Sequence, residues 1–168
     1  MSSLLRSIAG VWENNQTLCA LLPFDRVFTG RVPGTELYRF PYVSIMAGQG
    51  SQYHRSDKNH LSFGPLSFHI WVDDARLEYA ETVADAIMQV YADRCWPISD
   101  DARVIDVLDE GEPMAHQTDL PNVKAWEVVK LFTVCVERDR VDHSEEDGCC
   151  TSSYSDDQEE SSSSSSGQ

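Results

Sequence analysis

The first stretch of the chain in which apolar residues follow helical spacing lies near the N-terminus. Ser2 or Ser3 can cap a helix there, because a side-chain oxygen satisfies free backbone N–H groups. The apolar positions recur at i, i+3 and i+4 and are Leu4, Leu5, Ile8, Val11 and Trp12. Asn14 or Asn15 can break and recap this helix, and a second, turn-rich piece over residues 17–22 then ends at Pro23. The pattern predicts a short amphipathic unit that packs against the rest of the domain.

A stronger helix is predicted in the middle of the chain, over residues 76–93. Asp73 or Asp74 can cap it, and Trp96 followed by Pro97 stops it. Its apolar side forms one continuous face, composed of Leu77, Ala80, Val83, Ala84, Ile87, Val90 and Tyr91.

Strand patterns occupy five segments, which are residues 26–30, 40–47, 66–72, 103–108 and 124–137. Alternation is clearest in residues 66–72, where Ser67, His69 and Trp71 share the face opposite to the apolar one. Two interpretations stay open for Trp71. It either covers the second face of the sheet beneath a helix, or lies in a contact between subunits.

Two of the segments between these strands are polar. Residues 51–60 predict a long, flexible hairpin arm, and residues 110–122, with Pro113 and Pro121, predict a loop. Only one strong helix separates the strands, so a doubly wound parallel sheet is disfavoured. We therefore expect an α+β domain: a mostly antiparallel sheet of about five strands, packed by the N-terminal helix and one central amphipathic helix.

The chain divides by composition into a domain, residues 1–137, and a tail, residues 138–168. The tail is acidic, rich in serine and nearly free of apolar side chains, so we expect it to be disordered. Nine acids and two bases give the tail a charge of −7, which leaves −8 of the total −15 on the domain. Both parts are acidic, and neither contains the basic cluster that contact with nucleic-acid phosphates requires. An acidic surface can still line a passage through which DNA slides.

Cysteine spacing and the lengths of the apolar runs exclude further classes of protein. The five cysteines are an odd number in no disulfide-like spacing, and no apolar run approaches the roughly 20 residues of a membrane span. No secretory signal precedes the domain. These features indicate a soluble protein made in a reducing cytosol, with no membrane partner.

Candidate chemical groups are sparse. His54, His60 and His69 with Asp57 match no zinc-binding spacing and are more simply solvated side chains. His116 and Asp119 would make a general acid–base pair without a nucleophile. We therefore expect no enzyme activity, no metal and no cofactor.

The tail offers two further alternatives. Adjacent Cys149 and Cys150 suit a soft metal or acylation, but without nearby histidines they are more simply free thiols. The tail carboxylates lack the ordered ligand spacing of a calcium loop and are more simply a solvated charge run.

Two short stretches carry a family resemblance. Residues 21–28, Leu-Leu-Pro-Phe-Asp-Arg-Val-Phe, are followed by a proline-containing loop and by the strand Pro-Tyr-Val-Ser-Ile at 41–45. Together with the order of elements over residues 1–137, they resemble the tail-terminator, or tail-completion, proteins of long-tailed phages. The acidic tail has no counterpart in that pattern.

The resemblance implies a structural role in the neck of a virion assembled in the host cytoplasm. Members of that family form a ring, commonly a homohexamer, at the head-proximal end of the tail tube. The ring ends tube polymerisation and joins the tube to the head connector protein, and DNA passes through its lumen without specific binding. The implied partners are therefore further copies of the chain, the tail-tube protein and the head connector.

Contacts between subunits are expected at two places. The hairpin arm suits a reach to a neighbouring subunit, with candidate residues Gln52, Tyr53, His54, Arg55 and Lys58. Trp71 is the candidate interface residue on the sheet. Two other functions stay open: another head–tail connector protein, such as an adaptor or stopper, and a cytosolic module that binds a basic partner through its acidic tail.

Overall fold

The computed structural model describes residues 3–37, 39–48, 50–55, 59–120 and 123–139, without the side chains of residues 51–55, 59, 119 and 120. The helices are α1 (Ser3–Glu13), α2 (Gln16–Leu21) and α3 (Leu77–Tyr91), with one 3₁₀ turn at Phe24–Arg26. The strands are β1 (Val27–Thr29), β2 (Tyr42–Ala47), β3 (Ser51–Arg55), β4 (Asn59–Asp73), β5 (Trp96–Ser99), β6 (Ala102–Asp109), β7 (Met114–Leu120) and β8 (Val123–Asp139). The predicted α+β class is confirmed.

Two long antiparallel strands, β4 and β8, form the centre of the sheet. They pair from Asn59 opposite Asp139 to Asp73 opposite Ala125. Beyond β4 lie β2 and then β1, and beyond β8 lie β6 and then β5. The remaining lengths of β4 and β8 pair with β3 and β7 respectively. Only the β1–β2 pair is parallel among the described strands.

Glycines allow β2 and β3 to run along the same side of β4. Ala47 pairs with Leu66 and Ser51 with Phe63, so three residues between them face two residues of β4. A Cβ on Gly50 would lie 2.8 Å from the Phe63 carbonyl oxygen, and one on Gly64 would lie 3.0 Å from the Gly50 Cα. The backbones approach each other here as in a β-bulge, and a side chain would separate them.

We expect Gly64→Ala to lower the free energy of unfolding by about 1–3 kcal/mol, as other overpacked sites do. Gly10→Ala is the matched control, because nothing lies within 4 Å of its added Cβ and Gly10 is inside α1. That control should gain about 0.5–1 kcal/mol from reduced chain entropy. Urea unfolding followed by tryptophan fluorescence measures both. Equal stability of Gly64→Ala and the wild type would contradict the close approach.

A single core lies between the helices and one face of the sheet. From β4 it takes Leu66, Phe68, Ile70 and Val72, which alternate as predicted. Buried aromatic side chains place their polar atoms against backbone carbonyls: Trp12 Nε1 donates to Leu22 O at 3.1 Å, and the Tyr91 hydroxyl donates to Ile8 O at 2.8 Å. These bonds tie α1 to α2 and α3 without leaving a buried donor unpaired.

One charged side chain, Lys130, is buried on this core face of β8. It is 3% exposed and pairs in register with Phe68. Its Nζ lies 2.6 Å from Asp109 Oδ1 and donates to the Gly111 carbonyl. Burial opposes ionisation of Asp109, but the Lys130 hydrogen bond, the Gly111 N–H and the Lys130 charge lower its pKa below the usual value. The ion pair therefore joins the middle of β8 to the end of β6 and the turn after it.

Several expectations about the elements are wrong. The sheet has eight described strands rather than about five. The segment predicted as a loop, residues 110–122, contains β7, since β8 supplies the pairing that its polar sequence does not suggest. Residues 96–97 belong to β5, and α3 already ends at Tyr91.

One predicted helix cap is confirmed and another is wrong. Asn15 caps α2, because its side chain accepts from Leu18 N. Neither Asp73 nor Asp74 caps α3: the N-cap position is Arg76, which makes no side-chain capping bond. Asp74 instead accepts from Trp126 Nε1 at 3.1 Å and from Gln117 Nε2 at 3.0 Å. It thereby joins the start of α3 to β7 and β8.

The predicted hairpin arm is formed by β3 and the beginning of β4, which pair from Ser51 opposite Phe63 to Arg55 opposite His60. Lys58 and the predicted tail beyond residue 139 lie outside the described residues, and β8 continues two residues past the predicted domain boundary. Among the described residues, no helix combines the length and the apolar content needed to cross a membrane.

Candidate functional site

The candidate site is the sheet face opposite to the helices, called the open face below. Its centre carries Ser67, His69 and Trp71 from β4, the residues that alternation separated from the core. Large apolar side chains also lie on this face, and each is 36–55% exposed to solvent. They are Met46, Leu108, Met114 and Leu131. Exposed apolar side chains on one surface are typical of a protein contact.

Stacked aromatic rings occupy one end of the open face. Tyr42 stacks on Trp71 with ring centroids 6.1 Å apart and on Phe40 at 5.7 Å, while Phe28 meets it edge-on at 6.0 Å. Tyr42 is 1% exposed. Burial, with a contribution from the Glu127 charge, raises the pKa of Tyr42 to about 12 against an opposing effect of Arg26. The Tyr42 hydroxyl therefore stays protonated at neutral pH.

Arg26 positions the loop that borders these rings. Its Nη1 lies 2.6 Å from Glu36 Oε2, its Nε donates to Pro41 O at 3.2 Å, and its Nη2 donates to Arg39 O. The guanidinium carbon also lies 6.0 Å from the Phe28 ring centroid. The conspicuous arginine of residues 21–28 thus has a structural role, since it connects β1 to the loop before β2.

A shallow cavity of about 460 Å³ lies between this loop and the strands. Its floor is formed by Tyr42, Ser44, Met46 and Trp71, with Glu127 at the side and Leu37 on the loop. The walls are mostly apolar and the cavity is open to solvent, so it suits an apolar or aromatic side chain from a protein partner.

Beside the cavity, Glu127 joins two histidines. Its Oε1 accepts from His69 Nδ1 at 2.7 Å, and its Oε2 lies 2.5 Å from His116 Nε2. His69 Nε2 in turn lies 2.9 Å from Ser67 Oγ. Burial opposes ionisation of Glu127, but the hydrogen bond and charge of His69, followed by those of His116, lower its pKa below the usual value.

The row Ser67–His69–Glu127 has the connectivity of a hydrolytic triad, in which a carboxylate orients a histidine against a nucleophile. Hydrolysis also requires donors directed at the developing oxyanion. Ser67 lies in the middle of β4, where pairing with Met46 of β2 on one side and Leu131 of β8 on the other uses the neighbouring backbone N–H groups. The arrangement therefore supports a structural hydrogen-bond network.

We expect a fluorophosphonate probe for activated serines to give no labelling that depends on Ser67. Ser67→Ala is the control, because it removes the only hydroxyl of this row. Mass spectrometry after overnight incubation compares the two proteins at that peptide. A probe adduct on Ser67 in the wild type would show that the row activates its serine after all.

Removing the Glu127 charge should destabilise the domain. Glu127→Gln replaces charge-assisted hydrogen bonds by neutral ones, with an expected loss of about 1–3 kcal/mol at pH 7. Because the folded pKa is lowered, the stabilisation by Glu127 is complete above its unfolded pKa, near 4.3, and disappears as the pH falls through the folded value.

The difference between Glu127→Gln and the wild type should therefore narrow in acid. Urea unfolding at a series of pH values measures it, with Glu81→Gln on the exposed side of α3 as the control. A difference that stays constant down to pH 3 would mean that Glu127 contributes packing rather than charge.

The structure brings together residues that the sequence left apart. His69 and His116 meet through Glu127, which the strand pattern of β8 gave no reason to select. His116 pairs with Glu127, and the side chain of its predicted partner Asp119 is not described. His54 has no described side chain and Asp57 lies outside the described residues. Over the part of the chain that is described, no cluster of at least three His, Cys, Asp or Glu residues could hold a metal ion.

The structure describes the side chain at only one of the two predicted contact regions, that of Trp71. Trp71 is half-buried on the open face, beneath the loop and the aromatic stack rather than beneath a helix. Gln52, Tyr53, His54 and Arg55 lie in β3, where only their backbone is described. Cys19, Cys95 and Cys135 are free thiols, and Cys149 and Cys150 lie outside the described residues.

The sequence matches no family model and no curated protein. Among solved structures, it is similar to a chain in the virion of a native gene transfer agent (GTA) particle. That alignment covers 80% of this chain and 94% of the other, with a TM-score of 0.60 and 18% identity. A second solved chain aligns over 80% of this chain and 96% of its own length, with a TM-score of 0.47 and 14% identity. The likeness to the GTA chain is one of fold.

Proposed function

We propose that this chain is a structural protein of a phage-like virion, and within that class a tail terminator. It forms a ring on the head-proximal end of the tail tube, ends tube polymerisation and provides the surface to which the head connector docks. The observation that carries the proposal is the fold shared with a protein of the GTA virion over 94% of that chain. The order of elements and the two short stretches of the sequence support the narrower assignment.

The open face supports a role in assembly rather than catalysis. Its exposed apolar side chains and its aromatic-floored cavity suit contacts with another protein. In the serine–histidine–glutamate row beside them, strand pairing uses the backbone N–H groups next to Ser67. An interaction surface without a reactive centre is what a ring protein needs.

The acidic domain also suits a ring that DNA crosses. With −8 on residues 1–137 in addition to the tail, repeated copies would present negative charge around a lumen. Negative walls repel phosphates, so DNA would pass without adhering.

Deletion of the gene from cells that produce the particle tests the proposal. We expect tail tubes of uncontrolled length and heads without tails, and recovery of normal particles when the gene is supplied in trans. Cryo-electron microscopy of complemented particles should place the chain as a ring between tube and connector. Density on the head side of the connector would instead support an adaptor, and unchanged particles from the deletion strain would reject the virion role.

A further inference from the structure

Four strands, β1, β3, β5 and β7, lie at edges of the sheet and pair with a single neighbour among the described residues. β3 pairs only with β4, and β7 pairs only with β8. No further backbone hydrogen bond in the described part of the chain involves β7. The outward N–H and C=O groups of such a strand are ready to pair with another chain.

The β7 edge is the less protected of the sheet's edges. β1 has three residues, and β5 has four with Pro97 and an irregular register. Short length, proline and bulges are devices that discourage pairing between edges. β7 has seven residues in unbroken register with β8, and its sequence, Met-Ala-His-Gln-Thr-Asp-Leu, contains neither proline nor lysine.

The edge strands β3 and β7 lie at diagonally opposite corners of the sheet. β3 lies beside the end of β4 that pairs with residues 135–139 of β8. β7 lies beyond β8, at its other end, residues 123–129. The other two corners carry the short edge strands β1 and β5. A contact that joins one corner to the opposite corner of the next copy is heterologous, and it closes into a ring when the rotation per copy allows.

Charge favours a second copy as the occupant of the β7 edge. Exposed Glu110 and Glu112 stand immediately before β7, so an added strand should carry positive charge. β3 contains His54 and Arg55 in a chain that is otherwise strongly acidic. The same chain's residues 140–168 contain eight acids and one arginine, so like charge disfavours that segment at this edge.

The surface beside the β7 edge also needs covering. Met114, the first residue of β7, is 55% exposed, and Leu108 and Leu131 lie on the same open face at 44% and 36%. A neighbouring copy that adds a strand to β7 would extend the sheet and place its own open-face side chains beside Met114. Backbone hydrogen bonds and apolar burial would then act together in one contact.

From these observations we infer that the ring contact is made by strand addition, with β3 of one copy pairing with β7 of the next. The inference rests on the proposed function, because it takes the head-to-tail assembly of copies from there. It adds which two strands meet, and it predicts a continuous sheet around the ring.

Disulfide trapping in assembled particles or rings tests the pairing. The background carries Cys95→Ser, Cys149→Ser and Cys150→Ser, and cysteine then replaces Gln52 or Tyr53 in β3 together with Gln117 or Thr118 in β7. Mild oxidation should give a ladder of covalent multimers that ends at the ring size, and the single-cysteine variants should give none. Ser99→Cys on β5, combined with the same β3 cysteines, is the matched control for an edge that is not used.

Amide hydrogen exchange provides a second readout without substitutions. Every other amide of β7 points outward, so alternate β7 amides should slow on assembly by at least tenfold. Truncation after Asp139 should leave the exchange of unassembled protein unchanged. Faster β7 exchange after truncation would show that the tail occupies the edge and would overturn the inference.

These experiments distinguish failure of the β3–β7 pairing from failure of the proposed virion role. Assembled particles that yield no β3–β7 cross-link, or that cross-link equally through β5, overturn the strand pairing and leave the virion role intact. Normal particles from cells lacking the gene reject the virion role itself, whatever the cross-links show.

Discussion

Phe68→Ala is expected to lower the free energy of unfolding by about 3–5 kcal/mol, the range for large aromatic side chains removed from a core. Phe68 is fully buried in β4, and its ring lies 4.9 Å from Tyr91 of α3, 5.8 Å from Phe132 of β8 and 6.5 Å from Trp12 of α1. Removing it opens a cavity where both central strands meet two helices. The surrounding rings cannot close that cavity without leaving their own contacts.

Chemical denaturation followed by far-ultraviolet circular dichroism measures this loss. Leu131→Ala is the matched control, since Leu131 lies on the open face of β8 and is 36% exposed. It should cost about 1 kcal/mol or less in the unassembled protein. A Phe68→Ala variant no less stable than Leu131→Ala would mean that the four rings do not form one packed unit.

Asp109→Ala is expected to have a comparable effect for a different reason. The substitution leaves the Lys130 ammonium buried without its carboxylate, and breaking a buried pair from one side costs about 3–5 kcal/mol. Lys130→Met should cost much less, because Asp109 remains partly exposed to water and methionine retains the packing beside Phe132.

The double variant Asp109→Ala/Lys130→Met shows whether the buried Lys130 charge causes the destabilisation by Asp109→Ala. If the buried charge is responsible, Asp109→Ala becomes nearly neutral once Lys130 is methionine, and the coupling energy of the cycle is large. Additive losses would show that Asp109 acts through the Gly111 turn instead. In the wild type, the lowered pKa of Asp109 means that its stabilisation is present at neutral pH and lost as the pH falls through the folded pKa.

Strand pairing explains which elements were predicted from sequence and which were not. Residues 66–72 alternate because one face is buried and the other is open, so the pattern alone located the core of β4 and placed Trp71 opposite to it. The sequence of β7 has no such alternation of apolar and polar residues, and pairing with β8 makes it a strand. The β1–β2 pair is parallel, a relation that no local pattern encodes.

The residues of the candidate site also divide into those that the sequence predicted and those that it did not. Ser67, His69 and Trp71 could be grouped from their spacing, because alternate residues share a face of a strand. Glu127 and Lys130 were hidden for different reasons. Lys130 interrupts the apolar face of β8, and Glu127 lies on the opposite face, where a charged residue is simply expected to be exposed. Their partners are distant in sequence, with His69 58 positions from Glu127 and Gly111 19 positions from Lys130.

The sequence by itself determined the α+β class, the helical and strand faces that form the core, and an acidic surface without a basic cluster, because periodicity and charge are local properties of the chain. The tertiary structure decided the neighbours of each strand. It thereby determined the partners of buried Lys130 and half-buried Glu127, and it placed β1, β3, β5 and β7 at the edges of the sheet. Those features depend on contacts between distant segments, which form only when the whole sheet is assembled.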